Sequence, residues 1–297
     1  MPPIPSSISI LGCGWLGHPL GRRLVERGVQ VRGSTTTSTK QAALRRDGIE
    51  PVLLTLDPDL TGEAPDALFE SPVLVLNIPP PRGRQDVRSF HRRQVEAVRD
   101  AALDGAVEWI LFASSTGVYP NVERTVTEAD GPPGRPDALP GPRRSTGEAL
   151  LAVEALLMDT PGLDTTIVRL GGLYGDDRNP ARFLAGRTDV ARPEAPVNLI
   201  HREDAVGVFL FLLEQNARGE VVNACADEHP TRRVFYGRAA RAMGLEPPTF
   251  DDGDPTTGKV VSNRKLTTQL GYSFRHPDPL ADLGPQAGGE APATDDS

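Results

Sequence analysis

The sequence predicts an α/β protein: a doubly wound parallel sheet with a smaller C-terminal lobe. Three observations carry this. Near-continuous apolar runs (VLLTL, VLVL, WILFA) alternate with stretches of helical periodicity, as strands buried on both faces of a parallel sheet do. The first run, ISIL, breaks into Gly12, Gly14 and Gly17 and passes straight into a helical stripe. Regularity then drops from Asp176 onward, where Pro and Arg become frequent.

Taken in order, Leu16, Leu20 and Leu24 form one buried stripe of a first helix that Gly28 closes. A second strand, VQVRG, runs into a hydroxyl-rich stretch and a helix from Gln41 to Arg46. The third strand ends at Asp57, the fourth at Asn77-Ile78-Pro79, the fifth in Ser114-Ser115 and the sixth, TTIVRL, in Gly171-Gly172. A basic stretch holding Arg82, Arg84, Arg88, Arg92 and Arg93 leads into a helix from about Ser89 to Leu103; it reads either as an anion-binding lip or as a solvated face. Right-handed crossovers return each strand in the same sense, so Gly12, Asn77, Ser114 and Leu170 should open on one edge of the sheet. That edge is where ligands of open α/β sheets bind.

Composition narrows the function classes. At 297 residues, 38% apolar and 24% charged, the chain is globular and long enough for a large core. A net charge of -8 argues against a nucleic-acid partner, because such affinity rests on neutralising phosphates. No apolar run is long enough to span a bilayer, and MPPIPSSISI lacks the form of a secretory signal. Cys13 and Cys225 make no disulfide framework. A cytoplasmic protein with a small-molecule substrate and no membrane association is expected. The five histidines show no metal-ligand spacing, so no metal is expected, and Ser115 has no G-x-S-x-G elbow around it.

The turn GCGWLG carries the first functional reading. Strand, G-x-G-x-x-G and helix make a dinucleotide-binding unit: Gly12 for the sharp turn, Gly14 for close approach to a pyrophosphate, Gly17 for helix–sheet packing, and the N–H groups of Trp15 and Leu16 near the phosphates. An NAD-preferring site would place an acid at the end of the second strand, yet none occurs between Glu26 and Asp47. Ser34, Thr35 and Thr36 stand there with Lys40 nearby, a set that suits a 2′-phosphate; the same residues could equally cap the next helix. NADP is expected in preference to NAD.

These ordered motifs resemble the extended short-chain dehydrogenase/reductases, the NAD(P)-dependent epimerase/dehydratase group, over roughly residues 9–279. The matching segments are GCGWLG, LLTLD, ILFASSTGVYP, IVRLGGLYG, NLIHREDAVGVF, GEVVNACADEHP and SNRKLTTQLGY. The resemblance implies a Rossmann-type nucleotide domain over 1–175 and 197–226. A substrate lobe would take 176–196 and 227–283, and a disordered tail 284–297. It also implies cofactor contacts from Asp57, Asn77, Pro79 and Gly171, and a possible homodimer.

The resemblance fails where the family keeps a tyrosine and, farther along the same helix start, a lysine. Here the region reads LPGPRRSTGEALL, with Arg144 in the tyrosine slot and Glu148 in the lysine slot. Ser145 and Glu148 form a Ser-x-x-Glu capping-box pattern instead, and Pro132, Pro133, Pro136, Pro140 and Pro142 stiffen the loop before it. Ser115 keeps the family position that hydrogen-bonds the substrate oxygen, or else caps its own turn. Tyr119 and Tyr174 resemble family positions, but a phenol with a pKa of ~10 needs a cation to act near neutrality. Arg143 or Arg144 would supply it. Catalytic candidates are therefore Ser115, Tyr119 and Arg144. Two functions follow: an NAD(P)-dependent oxidoreductase or epimerase of unusual activity on a polar carbonyl or nucleotide-sugar-like substrate, or an NADP(H)-binding regulatory or sensor protein without redox turnover.

Overall fold

The computed structural model describes residues 4–133, 140–141, 144–175 and 178–283. The tail 284–297, Asp176, Pro136, Pro142 and Arg143 lie outside the described residues. The first half of the chain forms β1 (Ser7–Leu11), α1 (Gly17–Val25), β2 (Gln30–Thr35), α2 (Ser38–Arg46), β3 (Ile49–Leu56), β4 (Leu60–Gly62), β5 (Val73–Leu76), α3 (Val87–Asp104) and β6 (Trp109–Ser115). Then come β7 (Thr125–Val126), α4 (Ser145–Met158), β8 (Asp164–Leu170), β9 (Gly172–Tyr174), β10 (Leu199–His201), α5 (Arg202–Glu214), β11 (Val221–Ala224), α6 (Arg232–Ala242) and β12 (Val260–Val261).

Eight strands form one sheet in the order β11-β8-β6-β5-β1-β2-β3-β4. All neighbours are parallel except β3 and β4. β1 pairs with β2 on one side and β5 on the other, so the strand order reverses there and a crevice opens at their carboxyl ends. The predicted common edge is therefore present.

Alternation along each strand feeds two cores. Ile8, Ile10, Val73, Val75 and Leu111 pack toward Leu20 and Leu24 of α1 and the apolar side of α5. Leu74, Leu76, Ile110 and Phe112 pack toward Val95 and Val98 of α3 and Leu157 of α4. Each fully buried Leu, Ile or Phe contributes ~2 kcal/mol by burial, and coverage of both faces explains why these strands read as continuous apolar runs. A separate cluster of Tyr174, Val197, Leu199 and Phe235 gathers around the small sheet β9–β10 and α6.

Two local expectations are corrected, and one strand is added. The antiparallel edge strand β4 was not anticipated, because Leu-Thr-Gly is short, mostly exposed and carries no apolar pattern. α3 begins at Val87, earlier than Ser89. The capping box at α4 does not form: the helix takes Arg144 as its N-cap, with no side-chain cap bond, which makes Ser145 the first helical residue and moves it one place too far in. Among the described residues no helix is long and apolar enough to cross a membrane.

Candidate cofactor and active site

The glycine turn is closed on two sides and open on the third. Gly12 leaves β1 at φ +98°, where a Cβ would collide with the Asn77 carbonyl oxygen. Asn77 locks this contact: its N–H donates to Leu11 O at 2.8 Å and its Nδ2 to Gly12 O at 2.9 Å. A Cβ on Gly17 would lie 2.5 Å from Gly12 O, so α1 sits directly on the turn. A Cβ on Gly14, by contrast, would meet nothing within 4 Å. Open space thus lies over Gly14, beside the start of α1, where the first N–H groups have no intrahelical acceptor. This cradle fits the pyrophosphate of a dinucleotide.

The other cofactor candidates ring the same edge with different engagements. Ser34 is buried, and its Oγ accepts the Gly12 N–H at 2.8 Å, so the hydroxyl supports the turn. Thr35 is also buried and accepts the Thr37 N–H at 3.2 Å; Thr36 and Lys40 are exposed. Thr37, the N-cap of α2, makes no side-chain cap bond. Asp57 and Pro79 are exposed just past β3 and β5. The Leu16 side chain is in the core, leaving its backbone at the turn. The Trp15 ring lies under two guanidinium groups, Arg178 at 4.2 Å and Arg202 at 4.9 Å from the ring centroid. Gly171 is required by packing, since a Cβ there would come within 2.9 Å of Asn198 O and 3.0 Å of Cys225 Sγ. In the basic stretch, Arg84 pairs with Asp86 and Arg92 with Glu96, both on exposed ground.

At the end of β6 the geometry is different. Ser115 Oγ accepts the Gly117 N–H at 3.1 Å and so caps the turn 116–118, while its O–H stays available to donate. α4 seats on this turn: a Cβ on Gly147 would collide with Gly117 O. Arg144 is exposed at the start of that helix. Tyr119 is buried, its hydroxyl donating to Asn223 Oδ1 and accepting from Arg169 Nη1, both at 2.8 Å. Burial pushes the phenol up to about 12, against the opposing pull of Arg169 and Asn223. The cation beside Tyr119 is therefore Arg169, not Arg144. Arg169 is itself fully buried and paired with Glu154 at 2.6 Å, and Ser114 Oγ donates to the same carboxylate at 2.6 Å. Burial disfavours the Arg169 charge, but Glu154 and Tyr119 outweigh it and its pKa rises. Tyr174 donates its hydroxyl to Asp282, and burial with that carboxylate raises its pKa too.

Glu154 and Asn223 were not singled out from the sequence. The available signal was a lone acid in LLAVEALLM and a lone base in TTIVRL, two charges inside apolar runs that must find each other if both runs are buried. The histidines also differ from the sequence reading, because His201 and His276, with Glu203, have ligand atoms all within 4.8 Å of one another. His201 Nδ1 already accepts the Glu203 N–H at 3.2 Å, and the cluster sits at the N-terminus of α5, whose dipole opposes a cation.

The parallel sheet, its switch point and the glycine turn define the class: the chain has the short-chain dehydrogenase/reductase fold of the epimerase/dehydratase type. No known family profile matches it. Protein YeeZ of Escherichia coli K12 is 38% identical over 277 residues, covering 92% of this chain and 97% of YeeZ, and the chain belongs to the YeeZ family. Among solved structures, a short-chain dehydrogenase/reductase superfamily protein from Agrobacterium tumefaciens with bound NAD superposes with a TM-score of 0.70 at 20% identity, over 93% of this chain and 95% of that one. UDP-glucose 4-epimerase from Thermotoga maritima with UDP-glucose gives 0.70 at 16% identity, over 93% and 97%.

Proposed function

We propose that the protein binds a nicotinamide dinucleotide, NADP in preference to NAD, and acts as an oxidoreductase or epimerase-like enzyme on a polar carbonyl or nucleotide-sugar-like substrate. One observation carries the reading: the turn after β1 is closed at Gly12 and Gly17 by backbone and open at Gly14. The NAD in the Agrobacterium protein and the UDP-glucose in the Thermotoga epimerase are consistent with it. The turn would hold the pyrophosphate, with Asn77 keeping it rigid. Thr36 and Lys40, exposed where an NAD site would carry an acid, would receive the 2′-phosphate. A bound nicotinamide would supply the hydride donor or acceptor. Ser115, whose lone pair caps its turn, would donate its O–H to the substrate oxygen.

A second reading, an NADP(H)-binding regulatory or sensor protein without turnover, is favoured by the state of the phenols. Tyr119 and Tyr174 both have engaged hydroxyls and raised pKa values, and Arg144 and Glu148 occupy the family's acid–base slots. Trp15 fluorescence tests binding, being in the turn itself: saturable change with NADPH at lower concentration than with NADH is expected, and no response to either sinks both readings. Turnover abolished in Ser115→Ala, with NADPH affinity unchanged, supports the enzyme. NADPH binding with no turnover of any co-purified small molecule supports the sensor.

A further inference from the structure

The chain after β9 places two arginines on the residue that follows Gly14. Gly175 and Arg178 exchange backbone hydrogen bonds, Arg178 N–H to Gly175 O at 2.7 Å and Gly175 N–H to Arg178 O at 3.3 Å. Gly175 in turn lies against the start of α5: a Cβ on it would come 2.8 Å from His201 Nε2 and 3.4 Å from Arg202 Cβ. These contacts bring Arg178 beside Arg202, and both guanidinium groups lie on the Trp15 ring, at 4.2 Å and 4.9 Å from its centroid. Arg178 is exposed and has no carboxylate partner among the described residues. Glu203, the acid next to Arg202, faces His276 at 3.5 Å. Consecutive Cα atoms are ~3.8 Å apart, so the two cations stand within one indole of the open space over Gly14. The same turn leads into α1, whose first turn holds no acid and whose N-cap, Leu16, makes no side-chain cap bond. The positive end of a helix disfavours cations and favours anions. Three sources of positive potential therefore converge on one turn.

We propose that Arg178 and Arg202 hold the pyrophosphate of the dinucleotide together with the glycine turn, and that Trp15 is the platform that presents their forked donors to it. This rests on the proposed function in taking the ligand to be a nicotinamide dinucleotide. A guanidinium over an aromatic ring keeps its N–H donors free, and these match phosphate oxygens two at a time. The charge of the phosphates relieves the repulsion between the two arginines and the start of α1. Arg178 comes from the stretch 176–196 that the family resemblance gives to the substrate lobe, so a bound dinucleotide would tie that stretch to the glycine turn.

Calorimetric titration of the full chain with NADPH, NADH and ADP-ribose tests this, since all three carry the pyrophosphate. Arg178→Gln and Arg202→Gln should each weaken all three about tenfold and by the same factor. Arg178→Lys should weaken them less, and Arg182→Gln, which removes an exposed arginine of the same stretch, should leave them unchanged. Because Arg178 is exposed, circular dichroism melts of its apo variants should coincide with that of the unmodified chain, which separates a lost phosphate contact from lost folding. A loss confined to NADPH would move Arg178 to the 2′-phosphate, and a loss that spares ADP-ribose would move it to the nicotinamide end. Either result overturns the inference, as does unchanged affinity in either Gln variant. If the unmodified chain binds none of the three probes, the proposed function falls and the inference with it; if it binds them and Arg178→Gln binds them equally well, the inference alone falls.

Discussion

The carboxyl ends of β1 and β5 and those of β6 and β8 lie on the same edge of one sheet, yet they use polar groups in opposite ways. At β1 and β5 the side chains of Asn77 and Ser34 hold the Gly12 backbone in its turn, and the space over Gly14 is left free. At β6 and β8 the polar side chains satisfy one another, with Arg169, Glu154, Tyr119, Ser114 and Asn223 linked in one buried network. The first arrangement is suited to receive a ligand. The second holds the sheet to α4, and a residue that serves there has few free valences for chemistry.

The contrast can be broken by substitution. Arg169→Met should have the largest effect, because it leaves Glu154 buried without its cation; a loss of about 3–5 kcal/mol in urea unfolding is expected, and a near-neutral result would mean that the network is not what joins β8 to α4. Gly12→Ala should cost ~2–3 kcal/mol, since it meets both an unfavourable φ and the Asn77 carbonyl. It should also abolish NADPH binding by fluorescence titration; intact binding would show that the turn can shift. Tyr119→Phe should cost ~1–2 kcal/mol by leaving Asn223 and Arg169 short of a partner.

The Tyr119 prediction has a pH arm with a definite sign. The phenol sits near 10 when unfolded and is pushed up to about 12 when folded. Between those values the unfolded chain binds fewer protons than the folded one, so the stabilisation is complete below pH ~10 and is lost as pH rises toward 12. Denaturation curves of the unmodified chain and Tyr119→Phe should converge over that window. Full stability with lost turnover in Tyr119→Phe would instead assign the phenol to chemistry.

Much of the first region was legible in the chain. Gly12, Gly14 and Gly17 follow a strand and precede a helix within a few residues, and local backbone geometry is what short-range pattern encodes. Asn77 was placed at the crevice by strand-end logic, although its lock on Gly12 spans 65 residues. The second region was not legible in this way. Tyr119 finds Asn223 across 104 residues and Arg169 across 50, and nothing local to GVYP indicates that its hydroxyl is engaged. The capping-box pattern at Ser145 misled for a related reason: α4 starts where it can seat Gly147 against Gly117, a tertiary contact that outweighs a local cap.

By itself, then, the sequence determined the order of the main parallel strands and their helices, the common edge and the glycine turn, because apolar periodicity and glycine placement act over neighbouring residues. Only the tertiary structure decided that Ser34 supports the turn, that Tyr119 belongs to a buried ion-pair network, and that Arg178 and Arg202 meet on the Trp15 ring. A hydrogen bond or ion pair depends on what the folded chain brings within reach, and that partner comes from distant parts of the chain.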